Sequence, residues 1–520
     1  MRTVPPTSPV HQPQAAEAEL IKAMGLTSAT MLVMGSMVGS GIFLVSADIA
    51  RITDSPALLL GAWVITAVMT IIAALSYAEL GAMMPRTGGQ YVYLRESLGP
   101  LWGFLYGWTF FLVIMTGTIA AVAIGFGKFV GVFVPWVSSS NWIVRFGEIP
   151  MLGGRVSVGL NTQNLVAILS VALITWINIR GVKLGSLVQN VFTFAKIAAL
   201  VGLVGLGLTI GSNPDAIAAN FGANFWRNAG WESTHRIASG LSGADVFISS
   251  LAVLFVAQAG SMFSADAWNN AAAAAGEIEN PRRNVALALT IGAGTVVLLY
   301  VLANLVYLMV LPFDGSPAGA SVMERGIKYA AEDRVATAVM QRMFGSTGAY
   351  VMAIAILIST FGCNNGLILG GARVYYAMAR DGLFFRNVAR VHPRYRTPHV
   401  SLLAQGAWTA ILCISGSYSQ LVDYTMFAVV LFYILTIIGL FRLRWTRPDA
   451  PRPYKAAGYP LLPALYILMA AYFDFVLLQY KPQYTWPGLF IVLLGIPVYF
   501  LWSRPSQITA PTASIRTSDE

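Results

Sequence analysis

Charge is scarce in this 520-residue chain: 11% of its residues are Asp, Glu, Lys or Arg, against 56% that are apolar, and its mean hydropathy is +0.66. A soluble globular protein carries about twice that charge fraction, so a soluble fold is excluded. Apolar runs of roughly 18 or more residues recur from about residue 27 to residue 502. No long polar block separates them, which excludes a soluble enzyme with one membrane anchor. Cysteine is almost missing, and Cys363 and Cys413 both lie inside apolar runs. That excludes a disulfide framework and a disulfide tether to a partner subunit through an outer loop. His11, His235, His392 and His399 fall in tails or loops without metal-ligand spacing, so neither a metal nor a cofactor is expected. A signal peptide is lacking too, because residues 1–26 have no apolar core followed by a small-residue cleavage site.

What charge there is runs to a net +10. Topology explains it better than a nucleic-acid partner does. With a cytosolic N-terminus and twelve alternating spans, roughly twice as many Lys and Arg fall inside as outside. The expectation is therefore an all-α, multi-pass protein of the plasma membrane (the inner membrane in a bacterium), embedded in the lipid bilayer with both termini cytosolic. The spans read as 27–46, 57–81, 101–134, 162–180, 185–211, 245–275, 284–311, 345–372, 400–417, 421–441, 461–480 and 486–502. They group into a tail over 1–26, five spans over 27–211, five over 245–441, two over 461–502, and a tail over 503–520. The outer loop 312–344 has the pattern of a helix lying on the surface. On the inside, "MPRTGGQYVYLRESLGP" reads as a turn and a short interfacial helix, with Tyr91 and Tyr93 as possible interface aromatics.

The first span holds an oddity, "MVGSGIFLV". Each glycine there gives up about 1 kcal/mol of helix propensity relative to alanine. The sixth span carries a second irregular patch, "QAGSMFSADAWNNAAAAAGEIENPRRN". Interrupted segments at matching positions of two halves mark an inverted-repeat transporter, and irregular backbone at membrane depth is tolerated where it lines a cavity or is buried in protein. A broken helix bares amides at one end and carbonyls at the other. Together these ends suit a zwitterion, with carboxylate on the amides and ammonium on the carbonyls. Close helix packing is the plainer explanation of "GSMVG" taken alone.

"GSMVGSGIF" followed by "YAELGAMMPRTGGQYVYLRESLGPLWGFLYGW", then "FTFAKIAAL", "SADAWNNAAAAAGEIENPRRN", "FGCNNGLILGGARVYYAMARDG" and "HPRYRTP", resembles the amino acid–polyamine–organocation superfamily. The resemblance is to its L-type amino acid transporter branch and prokaryotic relatives, and it covers about residues 27–440. It implies a LeuT-like fold of five plus five inverted helices with two appended, twelve in all, the first and sixth unwound at mid-membrane. It also implies roles: amides of Ser40 and Gly41 for the substrate carboxylate, Gly39 for the bend, and carbonyls of Met37, Phe263, Ser264 and Asp266 for the ammonium. Phe263 would close over substrate from outside. Where the family usually has an aromatic and a glycine, this chain has Ala265 and Ala267. Asn269 and Asn270 would brace the break or simply cap a helix.

Lys196, inside "VFTFAKIAALVG", costs roughly 2.5–3.5 kcal/mol at the centre of a span. In relatives without sodium coupling, a lysine here resembles a stand-in for a bound sodium ion. Its partners would be carbonyls near Gly35–Gly39 and polar groups near Ser359 and Thr360. Asp245 and Lys128 are placed near outer ends, Glu79 near inner-loop arginines, and Glu277, Glu279, Arg282 and Arg283 at an inner mouth as a salt-bridge latch or a solvated loop. The resulting expectation is a sodium-independent transporter of L-amino acids, an exchanger or a proton-linked permease, with no enzymatic activity and no disulfide-linked heavy subunit. The rivals are an amine or polyamine permease, if Asp266 faces substrate, and a transporter-like receptor that binds without translocating.

Overall fold

The computed structural model describes residues 24–502, apart from 86–87, 152–153, 181, 227–245 and 396. Most of the expected N-terminal tail, the whole C-terminal tail, His11, His235 and Asp245 lie outside the described residues. The first apolar run is two helices, α1 (Leu26–Met37) and α2 (Gly41–Thr53), bent by 40° at the break. There follow α3 (Pro56–Met83), the short α4 (Gln90–Ser97), and α5 (Pro100–Val130), which contains a π turn over Phe110–Ile114. A two-stranded antiparallel hairpin, β1 (Trp142–Met151) and β2 (Gly154–Asn161), leads into α6 (Thr162–Arg180), α7 (Val182–Thr209) and α8 (Pro214–Phe221).

The second set begins with α9 (Val246–Ser264), whose continuation is irregular up to the single turn α10 (Asn270–Ala273). Then come α11 (Pro281–Val310), α12 (Val335–Arg380), α13 (His399–Ser415), α14 (Tyr418–Thr446), α15 (Leu461–Tyr480) and α16 (Pro482–Trp502). Among the described residues nine helices are long and apolar enough to cross a bilayer, ten if the pair α1–α2 is one span. The apolar parts of α9 and α13 are shorter, over Ser250–Ser264 and His399–Ile414.

Local chemistry sets many of these ends. Pro56, Pro100 and Pro281 each stand at a helix start, where a missing N–H costs nothing. Ser417 and Gln420 form a reciprocal cap at the start of α14. α12 runs 46 residues but kinks at Phe344 and Gly345, the latter at φ 64°, a conformation glycine adopts without a Cβ penalty. Leu298, Leu468 and Phe490 are exposed, which fits a surface that meets lipid.

Three expectations are corrected. Residues 142–161, between the third and fourth spans of a fold expected to be all-α, form the hairpin. The surface helix expected within 312–344 is instead a single turn over Val322–Arg325, a 3-10 turn over Ala331–Asp333, and the start of α12, where Val335, Ala336 and Val339 are buried. Tyr91 and Tyr93 are buried rather than interfacial: Tyr93 packs edge-on against Tyr77, and the Tyr91 hydroxyl donates to Asp381 at 2.7 Å.

A candidate substrate site at two helix breaks

The first break spans Val38, Gly39 and Ser40. The Gly39 amide turns back to the Met37 carbonyl at 2.9 Å, a contact too tight for a helix. Among the described residues no carbonyl accepts from the Ser40 amide, and Gly41, as the first residue of α2, has no intrahelical acceptor for its own. The Met37 carbonyl, expected to be free for an ammonium, also takes the Tyr300 hydroxyl at 3.0 Å. Gly41 lies directly against the second break: a Cβ built there would come within 2.9 Å of the Ser264 Cβ and 3.0 Å of its Cα. The two breaks therefore touch, and the absence of a side chain at 41 permits it.

The second break runs from Ala265 to Asn269. The Asp266 amide donates to the Phe263 carbonyl at 3.3 Å, so that carbonyl is engaged within the turn. The carbonyls of Ser264 and Asp266 accept from no backbone amide among the described residues. The Ser264 hydroxyl donates to Gly260 at 2.9 Å. Ala267 holds a left-handed backbone at φ 66°. The Asp266 carboxylate accepts from the Tyr433 hydroxyl of α14. Asn269 stands at the start of α10 without a side-chain cap; its amide donates to Gln90 Oε1 at 3.0 Å. The Asn270 amide nitrogen is buried without a hydrogen-bond partner. Of the two roles expected for these asparagines, bracing the break or capping the helix, the cap is not formed by a side chain.

Lys196 of α7 is fully buried and its ammonium donates to the carbonyls of Gly35 and Val38, the latter at 3.0 Å. Ser359 of α12 donates to the same Val38 carbonyl at 3.1 Å. One cation and one hydroxyl therefore tie α7 and α12 to the end of α1, satisfying carbonyls that the break leaves without helical partners. Thr360 does not join them; its hydroxyl returns to Ile356 of its own helix at 2.8 Å.

Two cavities flank the breaks. The larger, about 340 Å³, opens on the side where α2 ends and is lined by Val45, Asp48, Ile124, Lys128, Tyr418 and Asp423 among others. Its floor over the first break is aromatic: Tyr418 is within 3.2 Å of the Ser40 hydroxyl and meets Phe263 edge-on at 6.0 Å. On the opposite side the space shrinks to about 20 Å³ beside Asp266, Asn270, Tyr106 and Val429. Nearby, Tyr77, Trp268 and Tyr433 pack against one another at 4.9 to 5.6 Å. A molecule of amino acid size fits the first space and not the second.

Ion pairs brace both ends. Asp333 joins Arg51 and Lys128, each at 2.8 Å. Burial by itself would raise the Asp333 carboxyl, but the adjoining Lys128 and Arg51 charges outweigh it and hold the group below the ordinary carboxylate value. At the other end Glu79 is fully buried and accepts from Arg444 at 2.9 and 2.5 Å and from the Ala456 amide at 2.7 Å, with Arg452 at 3.3 Å. Glu277 pairs with Arg373 of α12 at 3.2 Å, a partner other than the neighbouring Arg282 and Arg283. Met24 exchanges backbone bonds with Glu277 and Glu279, at 3.1 and 2.8 Å.

Sequence reading missed Tyr300, Tyr418, Tyr433 and Gln90. Their only signal was a polar tip within an apolar run, which demands a partner when buried.

The family model described as amino acid permease matches residues 24–501. The large neutral amino acids transporter small subunit 2 of Rattus norvegicus is 31% identical over 485 residues, covering 93% of this chain and 81% of the relative. The serine/threonine exchanger SteT of Bacillus subtilis is 28% identical, covering 92% and 97%. The b(0,+)-type amino acid transporter 1 of Rattus norvegicus is 29% identical, covering 95% and 90%. With a bundle of apolar helices broken at two facing points and matched over nearly its whole length, the chain belongs to the amino acid permease family of the amino acid–polyamine–organocation superfamily.

Proposed function

We propose that the protein is a sodium-independent transporter of neutral L-amino acids that works by alternating access across twelve spans. Residues 27–211 and 245–441 act as its two inverted repeats, and both termini face the cytosol of a cell bounded by the plasma membrane. Substrate binds between the breaks: its carboxylate takes the free amides of Ser40 and Gly41, and its ammonium takes the free carbonyls of Ser264 and Asp266. The closed contact between Gly41 and Ser264 means that α1–α2 and the α9–α10 segment must part to admit it. Substrate contacts with both breaks then favour the states in which they close around it, which is how binding biases the cycle.

The observation that carries sodium independence is the Lys196 ammonium on the carbonyls of Gly35 and Val38. A fixed cation bridges the first break, α7 and, through Ser359, α12, where a dissociable metal cation would otherwise be needed. Asp266 is engaged by Tyr433, which weighs against a pocket built for polyamines. The names of the relatives point to neutral substrates and exchange. Both cysteines are buried, so no covalent heavy subunit is part of the proposal.

The test is counterflow of radiolabelled amino acids in proteoliposomes, with sodium replaced by choline. Exchange of neutral L-amino acids should persist at full rate without sodium. Removing the Lys196 ammonium leaves the Gly35 carbonyl unpaired, at about 1–3 kcal/mol, and leaves the Val38 carbonyl to Ser359 alone. Lys196→Ala should therefore lower uptake at least about tenfold at unchanged membrane expression. Normal uptake by that variant, or a requirement for sodium in the parent, defeats the assignment.

A further inference from the structure

Asp474 lies six residues before the end of α15, is 7% exposed, and neither of its carboxyl oxygens has a hydrogen-bond partner among the described groups. A carboxylate in an apolar surrounding costs several kcal/mol unless it is paired, and an ionisable residue at membrane depth marks a functional site by default. Its position along α15 is informative. Lys481, seven residues on and about 10 Å along the axis, continues the same helix face. Lys481 pairs with both oxygens of Asp423, at 2.8 and 2.7 Å, and Asp423 lines the 340 Å³ cavity. In the other direction Tyr466, eight residues before Asp474 on the same helix, is buried with its hydroxyl unpartnered. Asp266 sits in the second break and holds the Tyr433 hydroxyl. A polar column thus runs inward from the cavity along this appended helix, through the Asp423–Lys481 pair, Asp474 and Tyr466.

We propose that Asp474 is the proton-carrying group of a proton-linked amino acid transport cycle, loaded from the large cavity past the Asp423–Lys481 pair, with Tyr466 next along the column. This deepens the transporter reading and rests on it. The step is a proton transfer alone. The carboxyl O–H bond forms with a proton from water on the cavity side, and breaks when the proton passes to water on the opposite side; no electron moves. A metal ion is a poor occupant, since a hard cation takes six or more oxygen ligands and one carboxyl with one phenol supplies three oxygen atoms. The charged and titratable groups around this column are Asp423 and Tyr433 of α14, Asp266 beyond the end of α9, Tyr77 of α3, Tyr466 of α15 itself, and Lys481 with Tyr484 on the side of α16.

The experiment uses the full chain in proteoliposomes with radiolabelled L-threonine and L-leucine, with and without an external medium one pH unit more acidic. For one proton per substrate, the gradient should support accumulation of up to about tenfold. Asp474→Asn mimics the loaded acid in shape and charge. It should still mediate counterflow but lose accumulation driven by the gradient. Tyr466→Phe should keep counterflow while weakening the pH response. Accumulation in Asp474→Asn equal to that of the parent overturns the proposal, and so does a parent indifferent to the gradient; in both cases counterflow leaves the transporter reading intact. Absence of counterflow by the parent with either amino acid would instead sink that reading, and this proposal with it.

Discussion

A left-handed backbone at a residue with a Cβ costs on the order of 1–3 kcal/mol, and Ala267 adopts one at the centre of the second break. The side chain at this position therefore works against the local fold. Ala267→Gly should relieve the strain, offset in part by the greater freedom of glycine in the unfolded chain, and raise the melting midpoint in detergent by about 1–2 °C. An unchanged or lower midpoint in a thermal-shift measurement would show that the break does not need that conformation. At this scale the sequence was most readable where a residue conflicts with its surroundings. Gly39, Ser40 and Gly41 conflict with an apolar helix, and Lys196 with an apolar span, so their unusual backbone or burial was foreseeable. The partners that resolve those conflicts were not. Ser40 finds Tyr418, and Met37 finds Tyr300, across hundreds of residues of chain. Such pairings follow from helix packing, not from local pattern.

At the scale of elements, the segment before α12 is pinned by charge rather than by apolar packing alone. Asp333 draws together Arg51 at the end of α2 and Lys128 at the end of α5. Its carboxyl is held below the ordinary value of 3.8, so its contribution to stability is fully present above that value and is lost as pH falls through the lower folded one. Asp333 remains partly exposed, so the effect is modest. Asp333→Asn should lower the melting midpoint by on the order of 1 °C at pH 5 to 8, with the difference shrinking as pH falls below 3.8 and vanishing below the lower folded value. A difference that persists unchanged in acid would mean that packing, not charge, ties this segment down. The hairpin was also legible in principle. "RFGEIPMLGGRVSVGL" has strand-like residues on both sides of a Gly-Gly pair, a two-residue period that is easily lost between long apolar runs. The single turns that replace the expected surface helix have a plainer cause: Gly326 lies at φ 60° and Glu332 at φ 53°, and both end helical propagation.

For the molecule as a whole, the two cavities are unequal, and the inequality defines the conformation. Space is open from the side of Asp48 and Asp423 down to Tyr418, while Tyr77, Trp268 and Tyr433 fill the way to the other side. The Met24 strand bonds to Glu277 and Glu279, so the start of α1 and the segment after α10 are fastened to each other below the breaks. They are positioned to move as one body against α5 and α14, which line both cavities, and α12, which reaches the smaller one through Leu367. Cysteine labelling can follow that motion because Cys363 and Cys413 are buried and give a quiet background. Asp48→Cys should react readily in the resting protein and become protected as substrate drives the cycle onward. Val429→Cys, beside the 20 Å³ space, should do the reverse, reacting from the opposite side only when substrate is present. If both sites react equally with and without substrate, the two openings are not linked, and rigid rocking about the breaks is not how this protein moves its cargo.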